Sequence, residues 1–228
     1  MKKFIFTIFF VLFYFKSSIV MGAEDLKALC RKHIIEPKVS IVAQIGDLKY
    51  DHTKSKKAIT RMHLSTGADL ITGELLQGLS LFERKLSVGV KVESKRLPSG
   101  INCYYPKEVN FKIGTGENPT IFIAREIKRG TCKYDVVLRH EQTHQQINQS
   151  VIEHYVPVIK EKLREIIKKY PVAATRKNID INVVADDLSA KYTKSFTPLL
   201  EEINQATQKE QSKLDNLEQY TYESDICR

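Results

Sequence analysis

Two histidines and a glutamate in "VVLRHEQTHQQIN", residues 136–148, have the types and spacing of a zinc site. His140 and His144 are four residues apart, so on an α-helix they lie on one face, about 6 Å apart along the axis. Glu141 flanks this pair, where its carboxylate can take a proton from a metal-activated water. The segment predicts a zinc-dependent hydrolase, with His140 and His144 as ligands and Glu141 as general base. The alternative is a polar helix face that fits the pattern by chance.

The third zinc ligand must come from a segment that folds back over this helix, because no other residue on its turns can reach the ion. A histidine six residues after His144, as in metzincins, is absent, since that position is Ser150. A glutamate from a later helix, as in gluzincins, remains, and Glu223 is preferred because in "EQYTYESDIC" it lies next to aromatic residues and near a cysteine that is expected to be anchored. After Glu223, the next candidates are Glu165 and Glu202. Seven glutamates qualify by residue type: Glu161, Glu165, Glu201, Glu202, Glu210, Glu218 and Glu223.

The elements that must position these residues follow one another as strands first and helices afterwards. Apolar alternation predicts strands over 38–50, 86–97, 103–113 and 120–127. The segment "PTIFIARE", just upstream of the motif, is expected to be an edge strand that holds a substrate by backbone pairing. Residues 74–86 are expected to form a short helix. This order predicts a zincin-like α+β fold, in which a mostly antiparallel N-terminal sheet precedes the motif helix and the C-terminal helices.

Helical spacing of apolar residues begins after residue 134. Asp135 is expected to cap the motif helix at its N-terminus. A second helix is expected over 156–170, with Pro157 in its first turn or at a kink. A third is expected over 183–214, with Pro198 as the point where it would be interrupted.

The first 23 residues have the charge order of a secretory signal peptide. Lys2 and Lys3 precede an apolar run from Phe4 to Phe15, and small residues follow before a predicted cleavage near Gly22 or Ala23. Residues 24–228 then form a single domain, periplasmic or secreted. An uncleaved anchor over residues 4–23 is the alternative, and only in that case is the membrane a partner.

Four cysteines lie beyond this leader, where export would expose them to an oxidising compartment. No two of them are two to four residues apart, so a thiolate zinc cluster is not expected. Two disulfides are expected instead. Among the three pairings that four cysteines allow, the layout favours Cys103 with Cys132 and Cys30 with Cys227.

"RHEQTHQQI" resembles the "RHEQGH" segment of a bacterial domain-of-unknown-function family, number 922, described as predicted secreted zinc-dependent proteases. The resemblance extends over "CYYPKEVNFKIG", "PTIFIAREI", "GTCKYDVVLRHEQTH" and "LDNLEQYTYES". The chain departs from the family at Thr143, where the family has glycine, and "YTYES" matches its Tyr-Asp-x-Glu-Thr pattern only loosely. A distant sister family fits these residues equally. The resemblance implies a zincin-like peptidase and also points to Glu223 as a ligand.

These observations predict an exported zinc-dependent peptidase that cleaves a peptide or protein of the cell envelope. The alternative is a non-catalytic envelope binding protein on a zincin fold, with a structural or vestigial metal site. Coordination separates the two, because catalytic zinc keeps one position for water whereas structural zinc takes four protein ligands. The net charge of +9 includes three lysines of the leader, and no aromatic–arginine platform follows them, so nucleic acid is not an expected partner.

Overall fold

The computed structural model describes residues 22–70, 73–115 and 118–227. Within these ranges the chain forms six helices and two mixed β-sheets, which confirms the predicted α+β class. In chain order the elements are α1 (Ala23–Arg31), β1 (Lys38–Gln44), β2 (Lys49–Asp51), α2 (Lys56–Leu64), β3 (Gly78–Leu81), β4 (Arg84–Arg96), β5 (Asn102–Thr115), β6 (Thr120–Ile123), α3 (Cys132–Lys169), β7 (Ala173–Thr175), α4 (Ile181–Ser195), α5 (Thr197–Leu214) and α6 (Leu217–Asp225).

The predicted signal peptide falls almost wholly outside the described residues, which include only its last two positions, Gly22 and Ala23. Of the helices in the described ranges, none is both long and apolar enough to cross a membrane.

The larger sheet has β5 at its centre, paired with β1 in parallel and with β4 and β7 in antiparallel orientation. Alternation along β4 buries Val88 and Val90, as the sequence predicts. Helices α3, α4 and α5 cover this sheet, and the core between them includes Phe111, Ile159 and Tyr192. Each sheet contains one parallel pair, so the expectation of a mostly antiparallel arrangement holds only in part.

The smaller sheet has the order β2-β6-β3 and packs against α2 and the first turns of α3. Two expectations are wrong here. Residues 74–86 contain β3 and the start of β4 rather than a helix, because the alternating "GLSL" pairs with β6. The "PTIFIARE" segment is not an edge strand, because β6 lies between β2 and β3. The strand at the edge beside α3 is β3.

The motif lies on α3, a single helix of 38 residues. It begins at Cys132 rather than after Asp135, because the side chain of Thr131 caps it by accepting from the Tyr134 amide. No separate helix starts at 156, since Pro157 lies within α3 on its exposed side, where water can solvate the freed carbonyl. The third predicted helix is interrupted at Phe196, two residues before Pro198.

Two disulfides are present, and the predicted pairing is wrong. Cys30 bonds Cys103, because α1 packs against the start of β5 in a small apolar cluster. Cys132 bonds Cys227, because α6 folds back beside the N-terminus of α3. Two disulfides fit an extracellular location.

Candidate metal centre

The centre forms where the break between α5 and α6 meets the first half of α3. Asp215 is the C-cap residue of α5, and the next residue, Asn216, caps α6 by accepting from the Gln219 amide at 2.8 Å. This turn sends α6 back over α3 and directs the Asp215 carboxylate between His140 and His144. The interruption of the helices therefore completes the site.

Three ligand atoms converge at this point. His140 Nε2 and His144 Nε2 are 3.1 Å apart, and Asp215 Oδ1 is 3.2 Å from each of them. On a tetrahedral zinc ion with bonds of about 2.0–2.1 Å, ligand atoms are separated by about 3.3–3.4 Å. The triangle is therefore within about 0.3 Å of the spacing that zinc requires, and two imidazoles with a carboxylate are donors that zinc accepts.

Hydrogen bonds on the far side of each imidazole orient the ligand nitrogens. His140 Nδ1 lies 3.1 Å from Glu223 Oε1, and His144 Nδ1 is bonded to Gln211 Oε1. Gln211 Nε2 donates to the His144 carbonyl at 3.0 Å, which fixes the amide so that its oxygen faces the ring. Because both partners of Nδ1 are acceptors, each Nδ1 atom carries a proton, which leaves Nε2 of each ring as the nitrogen that binds a metal once Nε2 is deprotonated.

Tyr220 supports the site from α6. Its hydroxyl donates to Asp215 Oδ1 at 2.7 Å, and its ring stacks on His140 at 5.3 Å between centroids. Burial, together with the charge of Asp215, keeps the pKa of Tyr220 above its ordinary value, so the phenol stays a donor. Tyr220 thereby holds Asp215 in its orientation.

Glu141 lies beside the triangle and is 6% exposed. Its side chain packs against Gly78 of β3, where a Cβ atom would approach Glu141 Oε1 to 2.5 Å. Only a glycine at this position leaves room for the carboxylate. Burial raises the pKa of Glu141 to about 7, against the opposing effects of His144 and His140.

The protonation of the metal-free centre reflects the same contacts. Burial lowers the pKa of His140, but the hydrogen bond to Asp215 and the charges of Glu141 and Glu223 outweigh it and raise the pKa to about 9. Burial would raise the pKa of Asp215, yet hydrogen bonds from His140 and His144 hold it well below its usual range. A cation between the three ligand atoms is thus favoured, whether proton or metal.

The structure brings the predicted site residues together. His140, Glu141 and His144 share one cluster, and Glu223 contacts His140, although at Nδ1 rather than at the converging Nε2 atoms. Direct ligation by Glu223 stays a prediction, and Asp215 has the better geometry. The alternatives are remote: Glu165 and Glu202 line a cleft of about 340 Å³ between α3 and α5.

Asp215 was missed by sequence reasoning because only glutamates were considered as later ligands. A signal is nevertheless present in "KLDNLEQ", residues 213–219, where Asp-Asn interrupts a helical pattern. Such residues favour helix ends, and a helix end lying near the motif is a position from which a carboxylate can reach it.

Comparison with known proteins found no matching protein-family model, no similar curated protein and no solved structure of matching fold. The resemblance to family 922 therefore stays a prediction, and the chemistry must be inferred from the site.

Proposed function

We propose that this chain is an exported zinc-dependent peptidase in which His140, His144 and Asp215 hold the metal and Glu141 is the general base. The observation that carries the proposal is the triangle of His140 Nε2, His144 Nε2 and Asp215 Oδ1, with edges of 3.1–3.2 Å. Three protein ligands leave a fourth tetrahedral position for water, as in catalytic zinc sites. The Asp215 side chain is 31% exposed, which supports access from solvent on that side.

Bound zinc would lower the pKa of a water molecule and polarise the scissile carbonyl. Glu141 takes the proton of the attacking water and transfers it to the leaving amine. Glu223 and Gln211 keep the two imidazoles oriented during these steps, and Tyr220 does the same for Asp215.

The edge of β3 supports a peptide substrate. Gly78 of β3 lies opposite Ile123 of β6, and one residue beyond this pair Ala124 N donates to the carbonyl of Gln77. Because antiparallel bonds alternate, the backbone groups of Gly78 and Ser80 face away from β6. An extended peptide paired along this edge would pass beside Glu141, which packs on Gly78. This arrangement favours a peptide over a small ester or amide.

Metal content and activity test the proposal together. Purified protein is expected to contain about one zinc per chain, and His140→Ala or His144→Ala should remove it. Glu141→Gln should retain zinc but hydrolyse a mixed peptide library at least about 100-fold more slowly. Glu153→Gln, an exposed glutamate on the same helix, is the matched control.

The outcomes separate the peptidase from the envelope binding protein. Equal zinc content in wild type and both histidine variants would rule out the metal site. Zinc binding with no hydrolysis by the wild type, or undiminished hydrolysis by Glu141→Gln, would exclude the assigned mechanism.

A further inference from the structure

Helix α6 contacts the rest of the chain at the metal centre. None of its residues, 217–225, is buried. Its contacts with the rest of the chain include the bond of Glu223 to His140 and the stacking and hydrogen bonding of Tyr220 with His140 and Asp215. A helix of nine residues is unstable alone in water. Its position therefore depends on these contacts and on a covalent bond.

That covalent bond is the disulfide between Cys132 and Cys227, which joins the residues after α6 to the first turn of α3. Both of these cysteines are exposed. Cys30 and Cys103, which form the other disulfide, are each 0% exposed. A reductant in solution therefore has access to only one of the two bonds while the protein is folded.

We propose that the Cys132–Cys227 disulfide is a redox-sensitive tether, whose reduction releases α6 and weakens metal binding at His140, His144 and Asp215. This inference rests on the proposed zinc site. The reductant is a dithiol, of the kind carried by thiol–disulfide exchange proteins.

The reaction is a two-electron exchange. A thiolate of the dithiol attacks Cys227 Sγ, the bond to Cys132 breaks, and Cys132 leaves as a thiolate that is later protonated. The second thiol of the reductant then attacks the mixed disulfide, so that Cys227 is freed and the reductant becomes a disulfide. Cys132 is the first residue of α3, and the N-terminus of a helix stabilises negative charge, which favours this leaving group.

Release of α6 removes the supporting partners of the metal ligands but not the ligands. His140 would lose its acceptor Glu223, and Asp215 would lose its donor Tyr220. Asp215 itself stays at the end of α5, which is anchored by buried Leu199 and Ile203. Loss of such outer partners weakens metal affinity by about 10–100-fold. Reduction should therefore weaken the site without abolishing it.

The test compares the full-length protein before and after selective reduction. The protein is treated with a graded series of dithiothreitol redox buffers, its free thiols are blocked with iodoacetamide, and peptide mapping reports the state of each disulfide. The zinc dissociation constant is then measured with a competing chelator. A Cys132→Ser/Cys227→Ser variant serves as a control, since it has no thiols at these positions to alkylate or to bind zinc. Amide hydrogen exchange of the metal-free protein measures the protection of residues 217–225 independently of zinc binding.

The expected result has three parts. Cys132–Cys227 is reduced before Cys30–Cys103, residues 217–225 lose amide protection, and the zinc dissociation constant rises at least 10-fold in both the reduced protein and the serine variant. The inference is overturned if the dissociation constant stays within twofold once the bond is reduced, if α6 keeps its protection, or if Cys30–Cys103 is reduced first. If the oxidised protein binds no zinc, the proposed zinc site is wrong. In that case, loss of amide protection in α6 on reduction would still show that the disulfide holds α6 in place.

Discussion

Replacing Gly78 with alanine is expected to displace Glu141, the proposed general base, without removing metal from the proposed site. The new Cβ atom would lie 2.5 Å from Glu141 Oε1 and 2.8 Å from Val137 Cγ1. Ordinary contact begins at 3.4 Å, so the carboxylate must move by about 0.9 Å. A misplacement of about 1 Å at a reacting group can cost about 100-fold in rate. None of the three atoms nearest to the new Cβ belongs to a proposed zinc ligand, so the ligands should stay in place.

The assay measures kcat for peptide hydrolysis and zinc content for Gly78→Ala, beside Gly89→Ala as the matched control. Gly89 is also in a β-strand, but a Cβ there meets its nearest atom at 3.9 Å. We expect kcat to fall by about 100-fold in Gly78→Ala, with zinc content unchanged, and to stay near the wild-type value in Gly89→Ala. A wild-type kcat for Gly78→Ala would refute the role of Gly78, because it would show that Glu141 is not held against β3 during the reaction.

Three further predictions concern the ligands, their protonation and the long helix. Asp215→Asn should raise the zinc dissociation constant by more than Glu223→Gln does. Glu223→Gln changes only a hydrogen-bond partner of a ligand, which costs about 10–100-fold in zinc affinity. If chelator competition gives the reverse order, Glu223 is the ligand. Because the pKa of metal-free His140 is raised to about 9, zinc must displace its proton, and affinity should rise by up to about 10-fold per pH unit from pH 7 to 8; a flat profile would contradict this. Pro157→Ala should stabilise the protein by about 1–3 kcal/mol in urea unfolding, with Val158→Ala as the exposed control, and no gain would mean that α3 already accommodates the proline.

The pKa of His140 also fixes the sign of the pH dependence of stability without metal. Its folded pKa of about 9 lies above the ordinary 6.5, so the stabilisation is fully present below pH 6.5 and is lost as the pH rises through about 9. The metal-free protein should therefore become less stable over the range in which zinc binding becomes tighter. Urea midpoints at pH 6.5 and 9, with and without zinc, would show the opposite trends.

The features that were predictable from the sequence are those set by local periodicity. His140 and His144 share a helix face because they are four residues apart, and this holds whatever packs against the helix. The alternation of Val88 and Val90 likewise predicts β4 from a few adjacent residues. The strand at Gly78–Leu81 was predicted as part of a helix, because four residues are too short for the period to be read and pairing with β6 decides the conformation.

Features that depend on long-range packing were not predictable in the same way. Cysteine pairing depends on which elements meet, and the positions of α1 and α6 decide it. Glu223 contacts His140 at Nδ1, whereas Asp215 contacts it at Nε2, and a difference of this kind depends on the packing of α6 at the ångström scale. Spacing along the chain contains no information of that kind.

The position of Asp215 has a consequence for the time at which the proposed metal centre can form during biosynthesis. Asp215 follows His140 by 75 residues, and Cys227 lies further along the chain. A nascent chain that has not yet extended past residue 215 has only the two histidines of α3, and one that has not reached residue 227 cannot close the tether. A three-ligand centre therefore assembles only after residue 215 has been synthesised and the end of α5 has folded against α3. If the chain is the exported peptidase proposed above, an unfinished chain could not cleave proteins in the compartment where it is synthesised.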